Sequence, residues 1–212
     1  MKTILIIMLA LLILTGCSSR DLTVNEKNVI TSIPERPLDL SIVTVYASQE
    51  EAKVQFDLLM AEEMLPKNIS IEEIESVVFD FSAIALGNNI YFKKEFYDND
   101  FASNWPYFIQ YNLGLFSHEI MHVWQYQNRE RTGYTIAKVA LEHIKYKDPY
   151  YYELIEGKKL LDYRYEQQAK IIEDFFLKHY FNRNDKDYKK LKALIEAEMG
   201  PTQLPSFESG KF

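Results

Sequence analysis

Apolar and polar positions fall into blocks whose period changes along the chain, and the changes mark the elements. Between Ser18 and about Leu40 polar residues dominate, Pro34 and Pro37 interrupt, and no helical period appears, so the stretch reads as a tether. From Ser41 the runs become short and apolar: "SIVTVYA", then "AKVQFDLLMAEEML", helical or mixed, and "SIEEIESVV", where Ser70 ahead of glutamates signals a helix start. Ala83 to Tyr97, "AIALGNNIYFKKEFY", holds Gly87-Asn88-Asn89 between two β-forming runs. It predicts a strand, a turn and a strand, or one strand with a bulge.

The next stretch, "FIQYNLGLFSHEIMHVWQYQNRE", lacks proline and repeats apolar residues at helical spacing, which predicts a helix from about Pro106 to Arg129. Helical patterns follow in "YTIAKVALEHIKYK" and "KKLLDYRYEQQAKIIEDFFLKHYF", separated by the tyrosine-rich "DPYYYELIEG". A short charged helix near Asp185 to Met199 stops at Gly200-Pro201. The fold class expected is α+β, mainly helical, with a small sheet early in the chain.

Length and composition narrow the picture. The 212 residues suit one domain with a real core, and a hydrophobic fraction of 47% argues against disorder. A net charge of −7 gives no basic field for phosphates, so no nucleic-acid partner is expected. Only seven glycines occur, and none fall at nucleotide-binding spacing.

The opening "MKTILIIMLALLILTGC" has Lys2 ahead of an apolar run from Ile4 to Leu14, too short to span a bilayer, and reads as a secretory signal. Its end, "LTGC", resembles the lipobox of bacterial lipoproteins, and Cys17 is the only cysteine. The resemblance implies removal of residues 1–16, lipid on Cys17 as a membrane anchor, a tether over 17–40, and a folded domain over 41–212. It places the chain in a bacterial cell envelope. Ser18, standing where aspartate would retain a lipoprotein at the inner membrane, favours the outer membrane where the source has one.

Candidate chemistry concentrates in "SHEIMHVWQYQ". On a helix His118 and His122 lie one above the other, within reach of a single ion, and Glu119 projects beside it as a general base. This is the content of the HExxH zinc motif. The chain's own usage of 4 His and 20 Glu gives about 0.007 accidental matches, so chance is a poor explanation. A catalytic zinc site needs a third protein ligand and an open fourth position. His143, His179 and a downstream carboxylate are the candidates. Gln125 and Asn128 stand where the three-histidine continuation would have glycine and histidine, which disfavours that class.

"HEIMHVWQYQ" followed by "EQQA", Glu166 to Ala169, resembles the gluzincin branch of metallopeptidases. Together with "ALGNNIYF" and "YRYEQQAKIIEDFF" it resembles the DUF4157-like or Rhs/Vgr-associated predicted zinc proteases, over about Ala83 to Leu177. The resemblance implies a zincin-like fold, one zinc ion held by His118, His122 and Glu166, and Glu119 as the base. It makes Ala169 the small residue where the two site helices approach. Many relatives have aspartate four after the ligand glutamate; here Lys170 stands there, and Asp174, a turn later, is the substitute partner for a ligand histidine. Gln125, one turn beyond His122, either bonds a ligand or caps the site.

The function so implied is a membrane-anchored zinc metallopeptidase acting on a peptide or protein substrate, which would lie along an edge strand supplied by "GNNIYF". The alternative is a non-catalytic metal-binding lipoprotein serving as an accessory module. Tyr150, Tyr151, Tyr152, Tyr163 and Tyr165 are read first as packing residues and second as oxyanion stabilisers.

Overall fold

The computed structural model describes residues 19–33, 38–63, 65, 69–105 and 111–205. The expected signal peptide and the expected lipidation site Cys17 lie outside these residues, as do positions 106–110, where the long helix is expected to begin.

The elements run β1 (Ser19–Asp21), α1 (Val24–Thr31), β2 (Thr44–Tyr46), α2 (Ala52–Met60), α3 (Ile71–Val78), β3 (Ala83–Leu86), β4 (Asn89–Phe92), α4 (Tyr111–Gln127), α5 (Arg129–Thr132), α6 (Ile136–Lys145), α7 (Tyr165–Phe181) and α8 (Tyr188–Met199). The fold is α+β and mainly helical, with a four-stranded sheet in the order β1-β2-β4-β3. β2 runs parallel to β4, and the other two pairings are antiparallel.

Both faces of the sheet are covered, which is why its strands read as near-continuous apolar runs. Ala83, Ala85, Ile90 and Phe92 pack into one core with α4 and α7. Ile84, Leu86 and Tyr91 alternate with them into a second core with α2, α3 and α6. The expected strand, turn and strand are present, joined through Gly87, whose φ of +68° lies in the region that favours glycine. β4, which carries "NIYF", lies inside the sheet between β2 and β3, so the edge beside the site is β3.

The tether reading is corrected over residues 19–31. β1 pairs with β2, and Leu22 and Val29 are core residues. Glu26, fully buried, accepts two 2.7 Å bonds from Arg20 and further bonds from the backbone N–H groups of Thr23 and Phe101. Too few apolar residues occur here to show a period. The segment is held instead by a Thr23/Glu26 capping box and a buried ion pair.

Helix α7 begins at Tyr165, later than its apolar pattern suggests, because its first turn is capped from outside. The Glu142 carboxylate of α6 accepts the N–H groups of Tyr165 at 2.9 Å and Glu166 at 3.0 Å. Leu160–Asp162, inside the expected helix, form a 3-10 turn. α4 and α7 pack along each other, and a Cβ added at Gly114 would lie 3.2 Å from Leu177 Cδ2 and 3.4 Å from Glu173 Cγ. Gly114 and the buried Ala169 let the two helices come close. Among the described residues no helix is long and apolar enough to cross a membrane.

Candidate metal centre

His118, Glu119 and His122 project from one side of α4, and Glu166 comes from the first turn of α7. All four are 4–5% exposed. The donor atoms converge: His118 Nε2 lies 3.2 Å from His122 Nε2 and 3.0 Å from Glu166 Oε2, and His122 Nε2 lies 3.5 Å from that same oxygen. Donors placed about 2.0–2.1 Å from a tetrahedral ion are separated by about 3.3 Å, so the triangle fits one ion of zinc's size. The histidines and carboxylate singled out in the sequence are thus brought to one point.

Each imidazole is oriented from behind. His122 Nδ1 is 2.8 Å from Gln125 Oε1, and Gln125 Nε2 donates to Gln168 Oε1 at 3.0 Å and to the Tyr165 carbonyl at 3.2 Å. Gln168 in turn donates to the Tyr163 carbonyl at 2.7 Å. Two acceptors on the nitrogen side fix the Gln125 amide, so His122 carries its proton on Nδ1 and leaves Nε2 bare. Gln125 therefore bonds His122. For His118, Nδ1 is 3.2 Å from Glu173 Oε2, and Lys170 anchors the other Glu173 oxygen at 2.8 Å.

The expected partner Asp174 reaches neither His118 nor His122. It accepts the Tyr152 hydroxyl at 2.8 Å and pairs with Lys170. The helical period explains the correction, since Glu173 follows Glu166 by seven residues and returns to its face, whereas an eighth residue is rotated about 100° further.

His143 and His179 separate clearly. His179 hydrogen-bonds Tyr188 at 2.6 Å and the Pro205 carbonyl at 3.1 Å, tying down the C-terminal segment away from the cluster. His143 Nε2 lies 2.7 Å from Glu166 Oε1, the oxygen not directed at the other histidines, and stands outside the group of converging donors. Among the described residues no further His, Cys, Asp or Glu joins the three converging side chains.

Glu119 also stands outside the donor group, beside it. Burial raises its pKa, an effect only partly offset by His118 and His122, and its carboxylate accepts a backbone hydrogen bond from Ala85 of β3. Burial alone would lower the His118 pKa, but hydrogen bonds to Glu166 and Glu173 outweigh it and raise it to about 10. Burial likewise pushes Glu166 up, and is outweighed by His122, His118 and His143, which hold its carboxyl well below the usual range. In the ion-free site the neighbouring carboxylates therefore favour the protonated form of the imidazoles, Glu166 and Glu173 at His118 and Glu166 at His122. An ion entering at neutral pH must expel an imidazole proton, so affinity should rise with pH up to the His118 pKa. Calorimetry in two buffers of different ionisation heat at pH 7 should find about one proton released per ion bound. No proton release would contradict this charge state.

A cavity of about 50 Å3 opens onto the cluster, lined by His118, Glu119, His122 and Glu166 and walled by β3, Phe81, Tyr134 and Tyr150. It has room for one or two waters. A larger apolar cavity of about 270 Å3 lies on the opposite side of α4, against Phe116, Ile120 and Trp124, with no titratable side chain in its lining. It is remote from the chemistry. Of the five tyrosines considered from sequence, only Tyr150 lines the site, its ring 5.7 Å from that of His118. Tyr134, a site residue that no local pattern marked, joins it, with its ring 6.1 Å from that of His122. Burial beside Glu166 and Glu119 raises both hydroxyl pKa values, keeping them as donors.

No protein-family model matches the chain. A 94-residue segment is 35% identical to the type VI secretion system spike protein VgrG2b of Pseudomonas aeruginosa, covering 44% of this chain and 9% of that protein. Among solved structures, the effector domain of Pseudomonas aeruginosa VgrG2b aligns over 90% of this chain and 91% of its own, with a TM-score of 0.51 and 24% identity. The likeness in structure is one of fold.

These matches correct the expected gluzincin-type, DUF4157-like lipoprotein family. The relatives are a secretion-system spike protein and its effector domain. The membrane-anchored zinc metallopeptidase falls with that family, and so does the accessory lipoprotein offered as its alternative. HExxH fixes one turn of one helix and recurs on unrelated folds, whereas the alignment to the effector domain follows the arrangement of nearly the whole chain.

Proposed function

We propose that the chain is an effector-type domain, akin in fold to that of VgrG2b, and that it works as a zinc-dependent hydrolase. The observation carrying this reading is the open triangle of His118, His122 and Glu166 with Glu119 beside it and outside the donor set. A structural metal site closes its coordination with a fourth protein ligand; a catalytic one leaves that position to water or substrate.

Zinc in such a site supplies Lewis acidity, acidifying water and polarising a carbonyl. The protein's own groups handle the proton. Glu119, its pKa raised by burial, accepts a proton from the attacking water and holds it for the leaving group. Tyr134 and Tyr150 present hydroxyl donors at the cavity wall, suited to an oxygen that gains negative charge.

β3 offers a place for an extended, peptide-like substrate. Lys93 N donates to the Ser82 carbonyl, which sets the alternation of the β3–β4 ladder and turns the backbone groups of Ala83 and Ala85 away from β4. Ala85 already meets Glu119 there. Amide bonds are accordingly the substrate class to assay first.

The test is hydrolysis of an unstructured protein and of a peptide library by zinc-loaded, chelator-stripped and reloaded protein. Turnover should vanish on stripping and return on reloading. Zinc-loaded protein without activity above the stripped background would overturn the hydrolase reading.

A further inference from the structure

We infer that His143 is the positioning residue for the third ligand: it holds Glu166 Oε1 so that Oε2 alone is offered to the ion. The inference deepens the proposed metal centre and rests on it. His143 Nε2 is 2.7 Å from Oε1, while Oε2 is the oxygen 3.0 and 3.5 Å from the imidazoles of His118 and His122. One carboxylate thus has its two oxygens assigned to different partners.

The imidazole is itself held in place. Its ring centroid is 4.3 Å from that of Phe81 and 5.4 Å from that of Tyr150, so aromatic neighbours from two different loops fix it. The preceding residue, Glu142, caps the backbone N–H groups of Tyr165 and Glu166. Adjacent residues in the last turns of α6 therefore hold Glu166 twice, the Glu142 carboxylate at its backbone N–H and the His143 imidazole at its side-chain oxygen. Rotamer freedom in Glu166 is removed before an ion arrives, and the carboxylate is kept from turning both oxygens toward it.

A carboxylate free to bind through both oxygens would occupy the position needed by water or substrate. His143 thereby preserves the open position as well as affinity. Its contribution should match that of other groups that orient metal ligands, a loss of about 10- to 100-fold in affinity when removed.

The experiment compares wild type, His143→Phe and His143→Gln. Zinc affinity is read by competition against a chromophoric chelator, and coordination by the visible spectrum of the cobalt(II)-substituted protein. Phenylalanine keeps a ring between Phe81 and Tyr150 but loses the donor; glutamine restores a donor. His143→Phe should lose about 10- to 100-fold in zinc affinity and show weaker cobalt absorption, as expected when a carboxylate adds its second oxygen. His143→Gln should recover most of both. Thermal melts of the ion-free proteins check folding, and His143→Asn, whose amide stops short of Glu166, replaces the phenylalanine variant if that does not fold.

Unchanged affinity and spectrum in His143→Phe would overturn the inference while leaving the metal centre standing, provided Glu166→Ala still loses its ion. Equal defects in the phenylalanine and glutamine variants would overturn it too, by showing that packing rather than the donor matters. Wild type that binds neither zinc nor cobalt would remove the metal centre and this role together.

Discussion

Glu119→Gln is expected to keep about one zinc ion per chain and lose hydrolytic turnover by about 10²- to 10⁴-fold, the span associated with a positioned acid–base group. Glu119 is buried on α4, lies outside the converging donors, and is linked to β3 through Ala85. Its loss should leave the ion in place. Glutamine fills the same volume and retains an oxygen for the Ala85 N–H, but cannot take up a proton near neutral pH. Zinc content, the thermal melt and turnover measured on one preparation separate the outcomes. A variant that loses zinc would make Glu119 part of the binding set, and a variant that keeps its activity would point to another base.

Glu166→Ala should have the largest effect on metal content. It removes one of three protein donors and at once strips His143 of its carboxylate partner and His118 of one of its two. Affinity should fall by more than the roughly 10- to 100-fold associated with losing a group that merely orients a ligand. Glu173→Ala, which frees His118 Nδ1, should fall within that smaller range. Asp174→Ala, which releases only Tyr152 and Lys170, should leave affinity unchanged. Competition titrations of the three variants give this ranking directly, and a larger loss from Asp174→Ala than from Glu173→Ala would restore Asp174 as the partner of His118.

What the sequence made legible follows the range of the interactions involved. His118, Glu119 and His122 are fixed relative to one another by a single helical turn, so their spacing alone placed them on one face. Gln125 was legible as a neighbour of His122 for the same reason. Its bond to Gln168, across forty-three positions, became visible only once α4 and α7 lay together. Glu166 could be chosen among the charged residues of its helix only by resemblance, since nothing local distinguishes a ligand carboxylate from a solvated one. Glu173 and Asp174 are equally acidic neighbours, and the helix register decides between them. His143 had no local signal, because its partner lies twenty-three residues away and the grip depends on where α6 ends.

The fold shows the same division. β3, β4 and α3 carry their own turn and cap signals, and the structure places them where those signals lie. The N-terminal strand and helix were hidden by low apolar content, although "TVNE" contains the capping box that starts α1. The misplaced family has a related cause: a few short segments between Ala83 and Leu177, the HExxH motif first among them, were given the weight that belongs to an arrangement of the whole chain.

The most direct test of the metal centre is X-ray absorption at the zinc edge on loaded wild-type protein, with Glu166→Ala as reference. Two imidazole nitrogens, one carboxylate oxygen and one non-protein oxygen should bond the ion at about 2.0–2.2 Å. The reference should lose the ion or the carboxylate contribution. A third imidazole in the wild-type spectrum, or the same spectrum from Glu166→Ala, would contradict an open site built from His118, His122 and Glu166.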